Sequence, residues 1–193
     1  MPEGWWLVSF AVLWALVLVL SVVMVALARQ IGTLHMRLGP RGALEIDDEG
    51  PALGEAPEVA TLTDLNGREI TIGGPGAAQL LLFVSPGCKV CEQILPSMRV
   101  VGAAGELSPI VLTDMDQTET RLAYAGKKLD APVVAATFLA QRYGVPDTPY
   151  AVVLDGQGVV RAKGTVNNLE QLEGLIETGK RRSAQALTDR QAS

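Results

Sequence analysis

The sequence predicts an α/β domain, a central mixed sheet flanked by helices with an N-terminal hairpin, behind one N-terminal transmembrane helix. Three observations carry this reading. Residues 5–28 are apolar and uncharged, strand-like and helix-like segments alternate between residues 60 and 177, and the strand at 79–85 runs directly into Pro86-Gly87-Cys88 and a helical pattern.

As a helix, residues 5–28 would span about 36 Å, against roughly 30 Å of bilayer hydrocarbon. Trp5 and Trp6 stand where an interfacial aromatic anchor belongs. A cleaved signal peptide is the rival reading, with Ala26-Leu27-Ala28 as its small-x-small site. The long apolar run, with no Lys or Arg before it, favours a retained anchor in the bilayer. Only Glu3 precedes the span, whereas Arg29, Arg37 and Arg41 follow it, so the positive-inside count alone places the large domain in the cytoplasm.

Residues 29–58 read as a juxtamembrane segment and linker; 39–58, rich in Gly and Pro with an acidic run from Glu45 to Glu49, read as linker or as extended chain leading into the domain. His35 lies there and suits an interfacial role. A domain at 59–179 follows, and 180–193 reads as a polar, frayed tail. Within the domain, two short strands joined by Asn66-Gly67 form a hairpin, because that dipeptide tolerates positive φ angles. The continuous apolar run of 80–84 suits a strand buried on both faces. Helical spacing from Lys89 to about Ala104 carries Pro96, which removes a backbone hydrogen bond and kinks the helix. Further elements are a strand at 109–113, a helix at 117–127, a short strand at Val133-Val134 and a helix at 137–143. A hairpin of 150–154 with 159–163 and an amphipathic helix at 169–177 close the domain.

Charge and cysteine count narrow the function. A net charge of −5 with no basic cluster beyond Lys180-Arg181-Arg182 argues against nucleic acid as a partner. The two cysteines, Cys88 and Cys91, are too close for a long-range staple, and with a single histidine they cannot complete a zinc site without carboxylates. No metal or other cofactor is expected beyond the cysteine pair.

A strand ending directly in a helix places Cys88 at the helix N-terminus, where free N–H groups favour a thiolate. Lys89 adds positive charge, and the thiolate is the nucleophile. Cys91, one turn on, can close a disulfide with Cys88 and resolve a mixed disulfide formed there. Cys88 is thus the attacking thiol and Cys91 the resolving one. An inert buried pair is the alternative. This setting resembles the thioredoxin-like fold, in which a loop facing the active-site helix carries a cis-proline beside the sulfurs. The resemblance assigns that part to Pro149, preceded by Thr148, the other reading being an ordinary trans-proline at a strand start; Asp147, Tyr143 and Tyr150 could line a substrate groove, with surface or packing roles equally good readings.

Three blocks together resemble the MauD family of methylamine utilisation proteins over nearly the whole chain. They are Gln30-Ile31-Gly32-Thr33-Leu34-His35 with Gly39-Pro40 and Gly42-Ala43-Leu44, Ser85-Pro86-Gly87-Cys88-Lys89-Val90-Cys91, and Pro149-Tyr150-Ala151-Val152 through Arg161-Ala162-Lys163-Gly164. The resemblance implies an inner-membrane anchor, a periplasmic domain, and a part in maturing methylamine dehydrogenase. The implied client is that enzyme's small β subunit, rich in disulfides and bearing a tryptophan-derived quinone, and a membrane redox partner would recycle the cysteines. Gly87 and Lys89 depart from the Thr and Pro frequent around the first cysteine in relatives. Leu82 stands where thioredoxin has a buried acid. Two other readings stay open: a reductant for apocytochrome c maturation, and a non-catalytic tethered assembly factor.

Overall fold

The computed structural model describes residues 3–37 and 49–192, apart from 125 and 128. The chain divides into two compact units, Met1–Pro40 and Arg41–Ser193.

The first unit is one helix, α1 (Glu3–Arg37). Its stretch Gly4–Met24 is long and apolar enough to cross a membrane. Residues 4–24 are exposed, Trp5 and Trp6 included. The helix does not stop near Ala28 as expected but continues to Arg37, because nothing before Gly39-Pro40 breaks it. The first part of the expected juxtamembrane linker is therefore helical, and its turn residues Gly39, Pro40 and Gly42, with Arg41 and the acidic Glu45, Asp47 and Asp48, lie outside the described residues.

In the second unit, five strands form a mixed sheet in the order β5-β4-β3-β6-β7. The strands are β3 (Gln79–Val84), β4 (Ser108–Thr113), β5 (Val133–Ala135), β6 (Tyr150–Leu154) and β7 (Val160–Thr165). Strands β3, β4 and β5 are parallel, and β6 and β7 complete the sheet antiparallel. The apolar run of β3 is explained by its central place: Leu80, Leu82 and Val84 enter one core, Leu81 and Phe83 the other. On the first face pack Cys91 and Ile94 of α2 (Lys89–Ile94), Met98 and Val101 of α3 (Met98–Ala104), and Leu172, Leu175 and Ile176 of α6 (Leu169–Ala192). The second face takes Leu139 of α5 (Thr137–Arg142) and Ile72. Helix α4 (Gln117–Tyr124) stands beside β5 and ends three residues before the expected position.

Pro96 acts as expected. The helix after Cys88 breaks into α2, a 3₁₀ turn at Leu95–Ser97, and α3. The hairpin of β1 (Ala60–Thr63) and β2 (Glu69–Ile72) forms a separate two-stranded sheet. Its turn differs from the expected tight Asn-Gly type, since only Gly67 takes a positive φ. Buried Asp64 organises a wider loop instead: one carboxylate oxygen accepts from the N–H groups of Asn66 and Arg68, the other from the Arg68 guanidinium. Burial alone pushes the Asp64 carboxyl up, but these donors together hold it below the usual carboxylate range.

Residues 49–58 fit the extended lead-in rather than the linker: Gly54 N–H donates to the Val160 carbonyl and Val160 N–H to the Glu55 carbonyl, covering the outer edge of β7. The expected frayed tail needs correction. The polar tail is helical as far as Ala192, because residues 180–192 hold no proline and their helix formers (Lys180, Arg181, Arg182, Ala184, Gln185, Ala186 and Leu187) continue α6.

Candidate active site

Strand β3 ends at Val84, and the chain turns through Ser85-Pro86-Gly87 into α2. Gly87 takes φ +75° in open space, so its left-handed backbone rather than crowding calls for glycine. Cys88 is the N-cap residue, with extended backbone, and its Sγ accepts the Cys91 N–H at 3.1 Å. The two cysteines form a disulfide, with Cα atoms 5.2 Å apart. Their environments differ: Cys88 is half-buried, while Cys91 is 1% exposed and packs in the apolar core. Lys89 is exposed beside them.

Because β6 pairs antiparallel with β3, with Phe83 opposite Tyr150, the residues just before β6 come alongside the turn after β3. The Thr148-Pro149 peptide bond is cis. The Thr148 carbonyl oxygen lies 3.9 Å from Cys88 Sγ, its N–H donates to Asp147 Oδ1, and the buried Pro149 accepts Val166 N–H. Cys88, Cys91, Thr148 and Pro149 thus converge on one spot, with Lys89 at its margin.

Tyr143 and Tyr150 do not line a groove; both are buried in the core on the opposite sheet face, Tyr143 against Phe83. Burial pushes the Tyr143 phenol up to about 12, with Arg142 opposing weakly. Leu82 is fully buried in the same apolar cluster as Cys91.

The sequence reading missed Ser85 and Asp114. Ser85 Oγ donates to Asp114 Oδ2 at 2.8 Å, and both border a depression of about 170 Å³ with Pro146, Asp147 and Thr148. The signal available was their position, at the carboxyl ends of neighbouring parallel strands, where α/β sheets gather functional groups. Among the described residues no group of three or more His, Cys, Asp or Glu side chains is arranged to hold a metal ion.

Residues 65–180 match the thioredoxin-like domain family. A solved structure of a putative thiol:disulfide interchange protein DsbE from Chlorobium tepidum superposes with a TM-score of 0.57. It covers 67% of this chain and 99% of its own at 18% identity, and so shares the fold. Fold and site together define a thioredoxin-like thiol–disulfide oxidoreductase. Among curated proteins, the methylamine utilization protein MauD of Methylobacillus flagellatus is 38% identical over 182 residues, 92% of this chain and 88% of that protein. MauD of Paracoccus denitrificans is 37% identical over 176 residues, 89% of this chain and 88% of its own. The chain belongs to the MauD family.

Proposed function

We propose that this protein is a membrane-anchored oxidoreductase that forms or isomerises disulfides in a secreted client, the β subunit of methylamine dehydrogenase. In this reading residues 5–28 span the bacterial inner membrane once, and the domain at 59–179 works in the periplasm. Family membership supports the choice of client. One juxtaposition carries the chemistry: a half-exposed Cys88 sulfur, taking an N–H from Cys91 and facing the Thr148 carbonyl, above a buried Cys91.

Reduced Cys88 attacks a client disulfide as the thiolate, favoured by the Cys91 N–H and by Lys89. One client sulfur leaves as a thiolate, and Cys88 holds the other in a mixed disulfide. Cys91 then attacks Cys88 Sγ, releasing the client as a dithiol and closing the Cys88–Cys91 disulfide. Oxidation of a client runs the same exchange backwards. A client thiolate attacks Cys88 Sγ and displaces the Cys91 thiolate, and a second client thiolate then displaces Cys88. A membrane redox partner returns the pair to its working state. Thr148 and Pro149 offer main chain beside the sulfur for an extended client segment.

A Cys88→Ser strain is expected to leave the β subunit reduced or degraded, and normal maturation there sinks the proposal. Cys91→Ala stalls resolution, so a mixed disulfide with the client should be trapped on Cys88. A tag on the C-terminus tests orientation; protection from reagents confined to the periplasm removes the periplasmic reading.

A further inference from the structure

One peptide group outside the site fastens both ends of the loop that carries Pro149. The loop begins at Gly144, after α5, and ends at Tyr150, the first residue of β6. The peptide between Glu49 and Gly50 lies across it. Its N–H, on Gly50, donates to the Gly144 carbonyl at 3.1 Å. Its carbonyl, on Glu49, accepts from the Tyr150 hydroxyl at 3.0 Å and from Lys163 Nζ at 2.6 Å. In a planar trans peptide N–H and C=O point in opposite directions, so this single group bridges the two loop ends.

The donors are unusual for a mere surface contact. Lys163 is 1% exposed, on β7 opposite Val152. Burying an ammonium group is costly, and Lys163 meets that cost partly with a main-chain carbonyl. Tyr150 is equally buried. Gly50 takes φ +74°, and any Cβ there would overlap the Tyr150 ring and hydroxyl, so the approach needs glycine.

We propose that Lys163, Tyr150 and the peptide between Glu49 and Gly50 form a clamp that positions the loop 144–149, and with it the Thr148 main chain, against Cys88. The clamp residues touch neither sulfur and act as positioning residues for polypeptide clients. The proposal rests on the redox reading above. It predicts a split: a polypeptide needs the placed loop, whereas a small dithiol needs only the exposed edge of the disulfide.

The test uses the full chain in detergent, with Cys88–Cys91 oxidised, as wild type, Tyr150→Phe and Lys163→Met. Each is mixed with reduced, unfolded ribonuclease A in single turnover, and separately with dithiothreitol. The half-saturating ribonuclease concentration is expected to rise about five-fold in Tyr150→Phe and about ten-fold in Lys163→Met, the scale of losing one neutral or one charged hydrogen bond. The dithiothreitol rate should stay within about two-fold, since a small dithiol needs no seating on the Thr148 main chain and neither variant touches the Cys91 N–H contact to Cys88 Sγ. Hydrogen exchange at Gly144, Val145, Asp147 and Thr148 should quicken in both variants. Tyr150→Phe removes one oxygen, so it stays informative even where Lys163→Met folds poorly. Unchanged half-saturation in both variants, a parallel fall in the dithiothreitol rate, or unchanged exchange across the loop overturns the clamp. A wild-type protein inert toward ribonuclease A counts against the redox reading instead, and loop exchange then decides the clamp.

Discussion

Gly179, midway along α6, fixes how closely that helix approaches β6, the strand that starts beside Pro149. A Cβ at position 179 would stand 2.7 Å from Val153 Cγ1 and 3.0 Å from Val153 Cβ. Comfortable carbon contacts need about 3.5–4.0 Å. Rotating Val153 cannot clear the clash, because its Cβ is itself too close and a β-branched side chain in a strand is stiff. Overpacking of this kind costs about 1–3 kcal/mol, and the double clash points to the upper end. Gly→Ala within a helix returns about 1 kcal/mol. Gly179→Ala should therefore destabilise the domain by about 2 kcal/mol, lowering Tm by about 4–8 °C for a domain of this size. In a Val153→Ala background only the Cβ contact remains, so the cost of Gly179→Ala should fall by about 1 kcal/mol or more in a double-mutant cycle. Thermal and urea unfolding followed by far-UV circular dichroism measure both numbers. A Gly179→Ala protein as stable as wild type, or equal costs in both backgrounds, refutes the packing argument.

Maleimide added to the reduced protein should modify Cys88 at least about ten-fold faster than Cys91, because only Cys88 is exposed; peptide mapping after brief labelling reads this, and equal labelling contradicts it. Acid unfolding should follow Asp64 and Asp155. In Asp155, burial pushes the carboxyl up, but the N–H groups of Val159 and Gln157 and the Arg161 guanidinium hold it low overall. Folded values below 3.8 mean that both carboxylates stabilise the fold above that pH and lose the contribution as pH falls through the folded values. The urea midpoint should be flat above about pH 5 and fall below it, less steeply in Asp64→Asn. Tyr143 buries a hydroxyl with no hydrogen-bond partner among the described residues, so Tyr143→Phe should raise stability by about 1 kcal/mol in urea titration, and a loss would contradict that accounting.

The sheet and the cysteine pair were legible in the sequence because both are written locally. A continuous apolar run at 80–84 flanked by a turn states a buried strand, and the two cysteines one helical turn apart state their own proximity. The errors and the open alternatives share a different cause, since each depends on partners distant in sequence. Asn66-Gly67 reads as a tight turn until Asp64 is known to be buried against the hairpin and to collect the loop's N–H groups. Groove, surface and packing roles stay equally open for Tyr143 and Tyr150 until the tertiary fold buries both on the sheet face opposite Cys91. The glycines and prolines of 49–58 fit a linker or an extended lead-in alike, and only the fold, in which Gly50 and Gly54 N–H groups bond to Gly144 and Val160, chooses the second. The burial of Lys163 and its bond to the Glu49 carbonyl likewise come from the tertiary fold.

We predict the direction of electron flow from what each redox form gains. On reduction, the Cys88 sulfur becomes a thiolate that still faces the Cys91 N–H, whereas in the disulfide that N–H meets a neutral, weakly accepting sulfur. The reduced form therefore gains more, and stabilising it makes the disulfide the stronger oxidant. Apolar Leu82 stands in the Cys91 cluster without a carboxylate, so no negative charge at that position opposes a thiolate on Cys88. Equilibration with glutathione should place the potential nearer the roughly −120 mV of strong oxidants than the roughly −270 mV of thioredoxin. Lys89 is exposed and screened, so Lys89→Glu should lower it only slightly, on the order of 10 mV. A wild-type potential at or below the thioredoxin value would reverse the assignment and make the protein a donor of electrons to its client.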